Sequence, residues 1–91
     1  MPDIVLATIN ARYAHASLGL RCLMANLGAL EARARIVEFV VGARTEDVVE
    51  RILAHRPRIV GLGVYVWNVA ECTRVVAQLR RVAPDVVVVV G

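Results

Sequence analysis

The sequence predicts an α/β domain, a parallel sheet wrapped by helices. Three observations carry that expectation. Aliphatic runs of strand character alternate with amphipathic stretches of helical period, the connections between them are short, and the last run, Val86 to Val90, is all valine with no polar alternation.

Ile4 to Ile9 is a mostly aliphatic run with β-branched members and predicts the first strand, followed by a polar-aromatic loop from Asn10 to Ser17. From Ser17, which is placed to cap a first turn, Leu20, Leu23, Met24, Leu27 and Leu30 recur at three- and four-residue spacing and predict a helix to about Ala32 with that face buried. Arg35 to Val41 predicts a second strand, broken by Gly42. Thr45 before Glu46 and Asp47 predicts a helix start, the hydroxyl capping a free N–H and the acids facing the positive helix end. Val48, Val49, Ile52 and Leu53 supply its buried face, and Pro57 stops it. Ile59 to Val66 predicts the third strand. Val69 to Val82 predicts a third helix with Cys72, Val75, Val76, Leu79 and Val82 on one stripe. Pro84-Asp85 ends that helix, and Val86 to Val90 is expected to be a strand covered on both faces.

With right-handed crossovers this βαβαβαβ pattern is compatible with two strand orders. In the flavodoxin-like order 2-1-3-4, helices lie on both faces and the connections diverge at the carboxyl ends of the first and third strands, where open α/β sheets hold their ligands. Val86 to Val90 would then lack a partner on one side. A long apolar edge is an aggregation hazard, so residues 1–91 are expected to be the first part of a larger domain, cut before a fifth strand.

Composition narrows the function classes. The chain has 91 residues, 58% of them apolar and 21% charged, which fits one packed domain. Its longest run free of charged residues, Ile59 to Ala70, is far short of the ~20 residues of a membrane span. The start, Met1-Pro2-Asp3-Ile4, has no secretory character, so the cytoplasm is the expected compartment. All eleven basic residues are Arg, spread along the chain among acids rather than gathered in a stripe, which disfavours nucleic-acid binding. Cys22 and Cys72 lie too far apart for a zinc pair and are expected to be buried free thiols.

The polar and aromatic side chains gather in the two crevice loops. Asn10, Arg12, Tyr13, His15 and Ser17 are in one; Tyr65, Trp67 and Asn68, with the only Trp, are in the other. Such a set suits a large, planar, partly apolar ligand, or else packing against another domain. A phosphoacceptor site would need acids where Asn10 and Tyr65 stand. A dinucleotide site would need a Gly-x-Gly-x-x-Gly turn, which the first loop lacks. Gly61 and Gly63, inside the third strand, read as close helix-on-sheet packing. His15 is the one side chain apt to ligate a metal, but has no second ligand at metal spacing. His55 reads as a surface residue near a helix end.

The segments Asn10-Ala11-Arg12-Tyr13-Ala14-His15-Ala16-Ser17-Leu18-Gly19-Leu20, Ala25-Asn26-Leu27 and Ile59-Val60-Gly61-Leu62-Gly63-Val64-Tyr65-Val66-Trp67-Asn68 together resemble the N-terminal cobalamin-binding domain of radical S-adenosylmethionine (radical SAM) enzymes. The resemblance spans essentially the whole chain. It implies a flavodoxin-like fold with cobalamin at the crevice, contacts from Leu18 and Gly19 at the first helix start, and Gly91 as the first of a glycine pair. The Asp-x-His-x-x-Gly and Ser-x-Leu pattern of methionine-synthase-type domains is departed from: aligned through His15, Tyr13 and Leu18 hold the Asp and Gly positions, and Gly63 and Tyr65 hold the Ser and Leu positions. His15 thus stands as a possible cobalt ligand beside a second mode with no protein ligand, in which Tyr13, Tyr65 or Trp67 flanks the lower face. An iron–sulfur cluster and S-adenosylmethionine would belong to a downstream barrel domain, since the three-cysteine motif is absent. The expected function is a cobalamin-binding module that is not catalytic alone, serving methyl transfer or radical chemistry. The alternative is a flavodoxin-like domain that has lost its ligand and acts structurally.

Overall fold

The computed structural model describes residues 3–10, 18–65 and 68–91, with the side chains of residues 18, 19 and 22 left aside. Its elements are β1 (Ile4–Asn10), α1 (Leu18–Ala25), a short 3-10 helix (Gly28–Arg33), β2 (Ala34–Val40), α2 (Thr45–Leu53), β3 (Ile59–Gly63), α3 (Val69–Val82) and β4 (Val87–Val90). The four strands are all parallel in the order β2-β1-β3-β4, the flavodoxin-like order. Ile4 of β1 is in register with Ala34 of β2 and Ile59 of β3, and Ile59 with Val87 of β4.

The two faces of the sheet are covered unequally. Alternation sends Val5, Ala7 and Ile9 of β1, Val37 and Phe39 of β2, and Val60 and Leu62 of β3 to one face. There they meet Val48, Val49 and Ile52 of α2 and Cys72, Val75 and Leu79 of α3, all buried in one cluster. The Arg51 guanidinium lies over the Phe39 ring at 5.0 Å, adding a cation–π contact between α2 and β2. The opposite face carries α1 over β1 and β2, where Leu6, Leu20 and Ala34 are buried. Over β3 and β4 no helix among the described residues covers this face.

That asymmetry corrects several expectations. The helix predicted to Ala32 ends at Ala25: the N–H groups of Asn26 and Leu27 donate to carbonyls three residues back, and Gly28 turns left-handed at φ +61°. Leu27 and Leu30 fit the three-residue period of a 3-10 helix as well as an α-helix, so spacing did not separate the two. Of the expected buried face, Leu23 is 49% exposed and Leu30 is exposed as well, because nothing among the described residues packs over them. Val86 to Val90 is not covered on both faces: β4 starts at Val87, and Val87 and Val89 are each 56% exposed while Val86 and Val88 touch the core. Val82 is exposed at the end of α3, past the reach of the sheet.

Two helix ends also differ. Thr45 is the first helical residue of α2, and the cap position is Arg44, extended and without a side-chain capping bond. α2 ends at Leu53, ahead of the stop expected at Pro57. Arg56, barred from the right-handed α region by the following proline, takes φ +51°. β3 stops at Gly63 instead of Val66, because Asn68 captures the Tyr65 N–H, the next donor that would face β1, as described below.

Candidate functional site

β1 lies next to both β2 and β3 in the sheet, and the helices that follow β1 and β3 lie on opposite faces. The carboxyl ends of these two strands therefore form the switch-point crevice. The β1–β3 register ends at Thr8 opposite Gly63. Thr8 is fully buried, and its hydroxyl donates to the Gly63 carbonyl at 2.8 Å. Two residues on, half-buried Asn10 donates from Nδ2 to Glu38 Oε1 of β2 at 3.1 Å. Glu38 also accepts from Arg21 of α1 at 2.6 Å, so one carboxylate ties α1 and the end of β1 to β2.

On the β3 side, Asn68 is 0% exposed. Its Oδ1 accepts the Tyr65 backbone N–H at 2.7 Å, while Nδ2 donates to the carbonyls of Ile9 at 2.9 Å and Gly63 at 3.2 Å and to Thr8 Oγ1 at 3.3 Å. Half-buried Tyr65 lies beside Gly63. Gly91 donates its N–H to the Leu62 carbonyl at 3.1 Å and accepts the Val64 N–H at 2.7 Å, which carries β4 up to the crevice level.

From the crevice a cavity of about 300 Å³ runs down the open face, lined by Leu6, Leu20, Leu23, Gly61, Tyr65 and Val89, with Gly63 and Gly91 at its crevice end. The two strand glycines have a different role from the helix packing expected of them. A Cβ at Gly61 would lie 3.0 Å from Leu6 Cδ2, and one at Gly63 would lie 3.4 Å from Thr8 Oγ1 and 3.5 Å from the Tyr65 ring. They keep a strip of bare backbone along the cavity floor, bordered by β1 side chains.

Of the residues singled out from sequence, the structure joins Asn68 to Tyr65, lines one cavity with Tyr65 and Gly91, and places Asn10 at the end of β1, bonded to Glu38. Leu18 and Gly19 start α1. Arg12, Tyr13, His15, Ser17 and Trp67 lie outside the described residues, as does the proposed Ser17 cap. Among the described residues no cluster of His, Cys, Asp or Glu has the makings of a metal site. Thr8, Arg21 and Glu38 escaped sequence reasoning, although Thr8 was the one polar residue inside an aliphatic strand.

Cys72, the free thiol of α3, sits behind the crevice with Sγ 3.9 Å from the Gly63 carbonyl. Burial pushes this thiol above the ordinary cysteine range, and the neighbouring Glu71 carboxylate adds to the shift. A raised folded-state value favours the neutral thiol, so its contribution to stability is complete at neutral pH and declines as alkaline pH rises through that value. In a Cys22→Ser protein, Cys72 is expected to react with a disulfide reagent at pH 8 about a hundredfold more slowly than in the unfolded chain. Equal rates would contradict its burial.

No helix among the described residues is long and apolar enough to cross a membrane. No curated protein matches the chain. A family model for the B12 binding domain matches residues 4–91, taking in all four strands and both crevice loops. A match of that extent, over a sheet whose order and switch-point crevice agree with it, makes the chain a member of the B12 binding domain family.

Proposed function

We propose that the chain is the cobalamin-binding module of a radical SAM enzyme, holding the corrin over the carboxyl ends of β1 and β3. The observation that carries the cobalamin part of the reading is the bare-backbone floor at Gly61 and Gly63, which continues the crevice into an apolar cavity, while the radical SAM part rests on the resemblance of the crevice segments. Cobalamin combines a broad flat macrocycle with a nucleotide tail, and the residues present fit both parts. Backbone and amide groups at Asn10, Tyr65 and Gly91 border the crevice, while Leu6, Leu20 and Val89 line the slot beneath it. Arg12, Tyr13, His15, Ser17, Leu18, Gly19 and Trp67 are assigned to the same site on the resemblance of their segments to cobalamin domains.

When bound, cobalamin supplies a cobalt centre able to carry a methyl group or take part in radical chemistry. The chain's own residues bind and orient it and keep water from the cavity side. An iron–sulfur cluster and S-adenosylmethionine belong, in this reading, to a downstream barrel domain. Exposed Val87, Val89 and Val90 support reading residues 1–91 as the N-terminal part of a larger domain, since an apolar edge of this kind invites a further strand.

Added hydroxocobalamin is expected to show a shifted visible spectrum with the chain and to stay with it on gel filtration. A spectrum like that of the free cofactor, with no co-elution, would leave the exposed Leu23, Val87 and Val89 favouring the structural role instead. His15→Ala then separates the two coordination modes. An unchanged bound spectrum means no His15–cobalt bond, and a changed one assigns the ligand.

A further inference from the structure

We propose that Asn68 is the positioning residue of the crevice, fixing Tyr65 and the end of β3 against the end of β1 without itself touching the ligand. This deepens the cobalamin reading and rests on it. Asn68 stands at the residue before α3, where an asparagine commonly accepts from a free helix N–H, yet it makes no such bond. Its side chain turns away from its own helix into the sheet, where it is fully buried and uses both ends of the amide.

The contacts span three separate pieces of backbone. Nδ2 reaches the last residues of β1 through Thr8 Oγ1 and the Ile9 carbonyl, and the last residue of β3 through the Gly63 carbonyl. Oδ1 takes the Tyr65 N–H, and the Asn68 N–H donates to the Tyr65 carbonyl at 3.0 Å, so the two residues hold each other reciprocally. Paired strands would otherwise separate past the Thr8–Gly63 rung; one amide group joins them there and also halts β3. Only a short side chain with a donor and an acceptor in one plane satisfies all of these groups. Aspartate lacks the donor, leucine lacks both, and glutamine is too long. Tyr65 lies on the cavity wall, so the amide that sets its backbone also sets the width of the crevice.

The test uses the full chain, with and without hydroxocobalamin. In Asn68→Ala the Tyr65 amide is expected to exchange with solvent about tenfold faster or more, while the Val5, Val60 and Val75 amides keep wild-type protection. The same variant is expected to bind hydroxocobalamin about tenfold more weakly by visible titration. Thr8→Val, which removes one of three acceptors, is expected to stay within about threefold of wild type. Should Asn68→Ala not fold, Asn68→Asp retains the acceptor and is expected to keep Tyr65 protected while still binding weakly. The proposal is overturned by unchanged Tyr65 exchange in Asn68→Ala, by a uniform acceleration of all four amides, or by wild-type affinity. In the Asp variant, loss of Tyr65 protection overturns it. If the wild-type chain itself takes up no hydroxocobalamin, the cobalamin reading falls and takes the ligand role of Asn68 with it; the exchange data still decide its hold on Tyr65.

Discussion

Ile52→Ala is expected to lower the unfolding free energy by about 2–5 kcal/mol and the melting temperature by roughly 10–30 °C, followed by circular dichroism. Ile52 is 0% exposed and belongs to the single cluster that joins α2 and α3 to the sheet. Truncation there removes buried methyl groups and leaves a void that neighbours on two helices and several strands fill only in part. For a domain of this size the total stability is itself only about 5–14 kcal/mol, so the loss is a large fraction of it. The like truncation Leu23→Ala, on the other face, is expected to cost less than about 1 kcal/mol, because half of that side chain already faces water. Equal losses at the two sites would mean that Leu23 is packed as fully as Ile52, contrary to the exposures found.

Gly61→Val is expected to weaken hydroxocobalamin binding by about 10–100-fold, or roughly 1.4–2.8 kcal/mol, in a visible titration. The new Cβ would start 3.0 Å from Leu6 Cδ2, and the two methyl groups beyond it would occupy the strip between Leu6 and Val89. Overpacking of this kind costs about 1–3 kcal/mol, partly offset by the strand preference of valine, so the fold is expected to survive. Val82→Thr, at an exposed position on α3, serves as the control and is expected to leave binding unchanged. A folded Gly61→Val protein that binds like wild type would move the ligand off this face.

Much of the fold was legible because its signals are local. The bounds of α3 follow from its stripe and from Pro84, and the four aliphatic runs correspond to the four strands. What periodicity does not encode is coverage. It places Leu23, Leu30, Val87 and Val89 among residues that seek burial, yet whether anything packs over them depends on elements elsewhere in the chain. The site was legible by residue type and place more than by role. Asn68 was singled out as a polar residue in a crevice loop, but its partners Thr8 and Ile9 lie about sixty residues away, and only the parallel register brings them together. Glu38 and Arg21 were hidden in the same way, each unremarkable in its own segment and joined only across β2 and α1.

The central place of β1 also shapes how the chain is made. β1 leaves the ribosome before both of the strands it pairs with, and Val5 to Ile9 are all buried in the finished fold, yet its β3 partner does not exist until Gly63 has been added. At cellular synthesis rates of about 5–20 residues per second, the intervening fifty or so residues take roughly 3–10 s, far longer than local helix formation. During those seconds one of the most apolar strands of the protein is half-paired at best. The yield of folded chain is thus expected to depend on how fast Ile59–Gly63 follows, which slowed translation between β1 and β3 would test.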